Sequence, residues 1–199
     1  MRLLTSLALS TVLFAGQGTH ERKLTKEQGE RFQTKLGRIV KTGETPRSKS
    51  RAPQSTQITD AELNSYLRFQ AADRVPPGIV APIINAQGEG KVSGSATVDL
   101  DAVRKQKQRG WLDPMGYLTG RLPLTARGRL VTQNGVGRFE LESAELSGVT
   151  IPKTLLQELL SYYSKTPADA DGINMDDPFQ LPAQIQEIRV ASGTATIVQ

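Results

Sequence analysis

The chain has 199 residues, no cysteine, a single histidine and a formal net charge of +5. The missing cysteine excludes disulfides, thiol catalysis, thiolate metal sites and an acylated-cysteine anchor. The charge is unevenly placed: His20–Ala52 carries ten Lys and Arg against four Glu, a net of +6, whereas Pro53–Gln199 carries 14 basic and 16 acidic residues, a net of −2. A nucleic-acid footprint on the folded part is therefore not expected.

Met1 and Arg2 open the chain, and an apolar stretch runs from Leu3 to Ala15. At about 13 residues it is too short for a membrane span, which needs ~20. Gly16 and Gly18 follow at a small-x-small spacing, so residues 1–18 read as a secretory signal peptide. The rest is expected as an exported domain, periplasmic or secreted. Residues 19–57 read as a basic flexible linker. Within it, Phe32, Leu36, Ile39 and Val40 give Leu24–Lys41 the spacing of a loose helix, before a Pro, Ser and Thr bias sets in.

Residues 58–199 read as a single α+β domain. Thr59-Asp-Ala-Glu62 is a capping box, flanked by Ile58 and Leu63 in a hydrophobic-staple arrangement. It starts a helix expected over Thr59–Ala72, whose apolar face holds Leu63, Tyr66 and Leu67. Gly78–Gln87 and Lys91–Leu100 read as two strands joined at Gly88-Glu-Gly90, the second with strict alternation that implies one buried face. A short helix over Asp101–Gln108, with Asp101 as its cap, and a loop over Trp111–Gly116 come next. From Leu118 to Leu130 alternate residues, among them Leu118, Leu122, Leu124 and Leu130, face one way. That predicts a strand far longer than the usual ~5–6 residues. Asn134-Gly135 is a hairpin turn. The return strand places Phe139 and Leu141 in phase, then slips to Ala144 and Leu146, which predicts a β-bulge. Pro152–Ser164 reads as a second main helix with an apolar stripe of Leu155, Leu156, Leu159, Leu160 and Tyr163, and a terminal hairpin closes the chain at Ile185–Val198. The expected architecture is a long, curved antiparallel sheet wrapped around two main helices.

Catalytic motifs fail. The one histidine, His20, lies in the basic segment, so no Ser-His-Asp triad can form within the domain. Gly88–Gly94 lacks the phosphate-loop spacing and joins two strands instead of a strand and a helix. Asp169, Asp171, Asp176 and Asp177 lack a calcium-loop series, so the loop is expected to be solvated and metal-free. Glu140 and Glu142 share a strand side, as paired glycosidase carboxylates would, but point away from the apolar positions. No catalytic residue, metal or cofactor is assigned, and the chain is not expected to be an enzyme.

The segment I-T-D-A-E-L-N-S-Y-L (Ile58–Leu67) resembles the opening helix of YceB-like periplasmic proteins, which belong with the tubular lipid-binding (TULIP, BPI-like) superfamily. The resemblance continues through V-S-G-S-A-T-V-D-L-D (Val92–Asp101), L-S-G-V-T-I-P-K-T-L-L-Q-E-L-L (Leu146–Leu160) and G-T-A-T-I-V (Gly193–Val198). It implies a twisted sheet around a long helix with a tubular groove for lipid, and no catalytic residues. The chain departs from those lipoproteins in having no lipobox cysteine.

The expected function is lipid binding or transfer, with acyl chains held between the Leu118–Leu130 strand and the two helices. Its lining would be Leu63, Tyr66, Leu67, Leu118, Leu122, Leu124, Leu130, Phe139, Leu141, Leu155, Leu159 and Tyr163. The partner would be a phospholipid or other acyl lipid, with transient contact at a membrane surface. The alternative is an exported structural or interaction domain with a dry core, whose basic leader binds an anionic partner.

Overall fold

A computed structural model describes residues 23–45, 52–76, 78–105, 119–165 and 170–199. The expected signal peptide, the Trp111–Gly116 loop and Leu118 lie outside these residues. The chain order is α1 (Lys26–Glu44), β1 (Ser55–Thr59), α2 (Asp60–Phe69), β2 (Ile79–Gly88), β3 (Lys91–Asp99), α3 (Leu100–Lys105), β4 (Arg121–Gln133), β5 (Val136–Leu146), β6 (Val149–Thr150), α4 (Lys153–Ser164), β7 (Phe179–Gln180), β8 (Glu187–Ala191) and β9 (Thr194–Val198). A six-stranded antiparallel sheet runs β2-β3-β4-β5-β6 with β7 also on β5, and a three-stranded sheet runs β1-β9-β8. The class is α+β with a large antiparallel sheet, as the strand alternation and the two main helices read from the sequence imply.

The flexible-linker expectation for residues 19–57 is corrected across Lys26–Glu44. That segment is a helix with a capping box of its own, in which Thr25 Oγ1 accepts from Gln28 N at 3.3 Å and Gln28 Oε1 accepts from Thr25 N at 3.1 Å. Phe32 and Ile39 of α1 are buried in two separate clusters. Phe32 packs with Tyr66 and Ala71 of the α2 region, its ring centroid 4.8 Å from that of Tyr66, and Ile39 packs with Leu181, Ile185 and Ile197. Apart from Lys35, the charged residues of α1 are exposed, so a high charge count coexists with an apolar stripe. At its C-terminal end α1 lies so close to Ala183 that a Cβ at Gly43 would overlap the Ala183 backbone. Gln199 Nε2 donates to the Ile39 carbonyl at 2.8 Å, tying the last residue of the chain to this helix.

The helix of α2 starts as its capping box dictates: Thr59 Oγ1 accepts from Glu62 N at 3.2 Å and Thr59 N donates to Glu62 Oε2 at 3.0 Å. Ile58 and Leu63 both pack on the Phe32–Tyr66 cluster. Glu62 has a second role. It is buried, and Lys35 Nζ of α1 donates to both its carboxylate oxygens, at 2.8 and 2.7 Å. Ser65, with no exposed surface, donates to Gln28 Oε1 at 3.0 Å and accepts from Thr25 N at 3.2 Å, so the capped start of α1 is joined to the middle of α2. The strand β1 ahead of the cap is antiparallel to β9, in a register that sets Thr56 against Ile197 and Ile58 against Ala195. Order therefore begins ahead of Ile58.

The β4–β5 hairpin has the length and the turn that its sequence implies. Asn134 and Gly135 have φ of 52° and 82°, the left-handed pair of a tight hairpin turn. The bulge falls where the phase slips: Arg127 pairs with Ser143 and Gly128 with Leu141, so Glu142 is the extra residue. The cap of α3 is Asp99 and not Asp101, since Asp99 Oδ1 accepts from Ala102 N at 2.9 Å. Pro152 is the residue preceding the first turn of α4, and no side chain caps that helix.

Burial disfavours the charged form of Glu62, but the hydrogen bonds from Lys35 and Thr59 outweigh it and hold its pKa below the usual value near 4.5. A depressed carboxylate stabilises the fold above the unfolded pKa and loses that contribution as pH falls through the folded one. In Glu62→Gln the amide can keep the capping box but not the ion pair. The expected loss at neutral pH is about 2 kcal/mol in urea unfolding. Wild type and variant should converge as pH drops below about 4.5, and a gap that persists unchanged in acid would assign the loss to packing instead.

Candidate functional site

The register of β3, β4 and β5 puts one set of apolar side chains on a common face. Val98 lies opposite Leu122, Ala96 opposite Leu124, Gly94 opposite Ala126 and Val92 opposite Gly128. On the other side of β4, Leu124 lies opposite Leu146, Ala126 opposite Ala144, Gly128 opposite Leu141 and Leu130 opposite Phe139. The middle of this face is thus floored by the half-buried Gly94, Ala96 and Ala126, with leucines around it and Gly128 covered by Phe139. The Phe139 ring lies so close over Gly128 that a Cβ there would come within 2.5 Å of Cζ. Any larger residue at Gly128 would displace the ring and fill the floor.

Val98, Leu100 and Ala144 are buried at the end of the face where α3 and β6 begin. Leu122, Leu124, Leu130, Phe139 and Leu141 are only half-buried, and neither buried hydrophobic cluster of the described residues includes them. Those clusters lie instead between α1, α2 and the three-stranded sheet. The opposite side of β4 presents Arg121, Thr125 and Arg127 to solvent. Glu140 and Glu142, considered above as a carboxylate pair, are both exposed, with Glu142 on the bulge.

The residues assigned to a lipid groove therefore fall into three groups. Leu122, Leu124, Leu130, Phe139 and Leu141 come together on the sheet face. Leu63 and Tyr66 do not join them: they pack on Phe32 of α1, and α2 meets the large sheet through its edge strand β2. Leu67, one residue on, is half-buried. Leu155 on α4 is 41% exposed, while the side chains of Leu159 and Tyr163 lie outside the described residues. α4 is bound largely to the loop after it. Gln157 donates to the Ile173 carbonyl at 3.0 Å and accepts from Met175 N at 2.8 Å, and Ser164 Oγ accepts from Ile173 N at 2.6 Å.

Sequence reasoning missed how α2 reaches the sheet. Asn64 Nδ2 donates to the Ile84 carbonyl and Asn64 Oδ1 accepts from Ile84 N, both at 2.8 Å, so a side-chain amide stands in for a neighbouring strand. One turn earlier the Asp60 carboxylate accepts from Ala86 N at 3.1 Å. Asp60 and Asn64, one turn apart on the same side of the helix, were the available signal. Along the exposed side of this junction an open cleft of about 850 Å³ separates α2 from β2 and the β8–β9 turn, with Lys23, Arg68, Phe69 and Ile83 among its walls. No group of His, Asp and Glu among the described residues is placed to hold a metal ion.

No protein-family model matches the chain, and no curated protein matches it. Among solved structures it is similar to a lipopolysaccharide binding protein, with 16% sequence identity and a TM-score of 0.23 over 78% of this chain and 45% of that one. The chain thus spans under half of that protein's length. Resemblance to the YceB-like proteins stands on the sequence motifs alone.

If the sheet face is open and the core lies elsewhere, the two should respond differently to truncation. Ile39→Ala should cost about 2–5 kcal/mol, as a buried core residue does. Leu124→Ser, on the half-buried face, should cost about 1 kcal/mol. Urea midpoints measure both, and equal losses would mean that the face is sealed as tightly as the core.

Proposed function

We propose that this chain is an exported, non-enzymatic lipid-binding protein that holds acyl chains along the apolar face of β3, β4 and β5. One observation carries the reading: that face combines a floor of small residues with half-buried Leu122, Leu124, Leu130, Phe139 and Leu141, outside both core clusters. Acyl chains laid there would leave water, at ~0.8 kcal/mol for each buried methylene. α4, which touches β5 and leaves Leu155 exposed, would border such a chain without having to clamp it. The apolar Leu3–Ala15 stretch supports export to the periplasm or beyond, and a phospholipid is the acyl lipid most available at a membrane surface.

The reading differs from a dry structural domain in what copurifies with the protein. Solvent extraction and mass spectrometry of the purified mature chain should find acyl lipid at a fixed stoichiometry. Leu124→Glu combined with Leu141→Glu should remove most of it while leaving circular dichroism unchanged. A wild-type protein that carries no lipid, and takes up none from phospholipid vesicles, would sink the proposal.

A further inference from the structure

We infer that the cleft between α2, β2 and the β8–β9 turn is a second binding site, for a single-chain amphipathic anion of the long-chain fatty acid class. It is distinct from the sheet face and stands or falls independently of it.

The site arises where a ladder of contacts ends. Asp60, Asn64 and Arg68 recur at one-turn intervals on the side of α2 that faces β2. Asp60 takes the Ala86 amide and Asn64 takes both backbone groups of Ile84. The next step along β2 offers no such partner. Position 82 is Pro82, which has no N–H, and Ala81 has φ of 49° at a register shift between Val80 and Ile83. β2 departs from its straight course there, and Arg68 is left facing the cleft.

The charges of the cleft do not balance internally. Among the described lining residues Asp60 is the one acid, and its carboxylate accepts from the Ala86 amide. Arg68 and Lys23 are both exposed and form no ion pair within 4.0 Å among the described residues. The Arg68 guanidinium sits instead 5.6 Å from the Phe69 ring centroid. Phe69 is 38% exposed, and with Ile83 and Leu24 it supplies apolar wall. Two cations without an ion-pair partner among the described residues, beside apolar wall in a cleft of about 850 Å³, leave a net positive lining that complements a carboxylate with an alkyl tail. The carboxylate would bridge Arg68 and Lys23, and the tail would lie along Phe69 and Ile83.

Isothermal titration with oleate below its micellar concentration, and with monoolein as the uncharged partner of the same chain, tests the assignment. Oleate should bind at least ten-fold more tightly than monoolein. Lys23→Glu combined with Arg68→Glu should weaken oleate at least ten-fold; both positions are exposed, so circular dichroism should not change. Leu124→Glu with Leu141→Glu, which targets the sheet face, should leave this oleate affinity intact. Absence of oleate binding, equal affinity for monoolein, or indifference to the charge reversal would each overturn the proposal. Loss of oleate in the sheet-face variant alone would assign the anion to the sheet and leave the cleft without a ligand.

Discussion

The pairing of α1 with α2 is organised around one buried carboxylate. Glu62 closes the N-terminus of its own helix through Thr59 and at the same time receives Lys35 from α1. A buried carboxylate without those partners would be strongly unfavourable, so the cap and the ion pair are mutually dependent. Arg31 approaches the same carboxylate at 3.7 Å but is largely exposed and adds little. Because Glu62 fixes the two helices side by side, Phe32 can stack on Tyr66 and Ile39 can reach the cluster formed with Leu181, Ile185 and Ile197. The helical part of the basic segment, Lys26–Glu44, is thus part of the folded unit, and one of its charges, Lys35, is consumed in building it.

With the principal clusters gathered at that end, the long strands have to hold their shape by other means. The ladder between β3, β4 and β5 is continuous apart from the bulge at Glu142, and the tight turns of the β2–β3 and β4–β5 hairpins, Glu89-Gly90 and Asn134-Gly135, have left-handed residue pairs suited to the strand twist. The three-stranded sheet clips onto the tips of both hairpins. Thr132 Oγ1 accepts from Ile188 N at 2.8 Å, and Gly193 N donates to the Ala86 carbonyl at 2.9 Å. The hairpins are therefore secured at their turns and at the α3 end, and the stretch between can remain half-open without loss of register.

What could be read from the sequence was what is local. The capping box, the Asn134-Gly135 turn, the long alternation and the phase slip at Glu142 are each set by neighbours a few residues apart. The docking of α1 was not legible because its partners, Glu62, Ala183 and Gln199, lie far along the chain, while its composition matched that of a linker. β1 was missed for a similar reason: Ser55–Thr59 is short and polar, and it becomes a strand only by pairing with β9. Of the twelve residues assigned to a lipid groove, those on β4 and β5 do share a face because period-two geometry requires it. Leu63 and Tyr66 were misplaced because amphipathicity identifies a buried face without saying what buries it.

α2 links stability to both candidate surfaces. One side of the helix is spent on α1 through Glu62, Ser65 and Tyr66; another is spent on the edge of β2 through Asp60 and Asn64. An edge strand would otherwise expose unpaired backbone groups to other chains, and the side-chain amide of Asn64 removes that liability at Ile84. The same row of positions leads to Arg68 where Pro82 and the register shift withdraw the strand. The cation is left over by the geometry that protects the edge. Covering the apolar sheet face with α2 would require giving up those edge contacts, so the helix that completes the core is also the reason the sheet face is not covered by it.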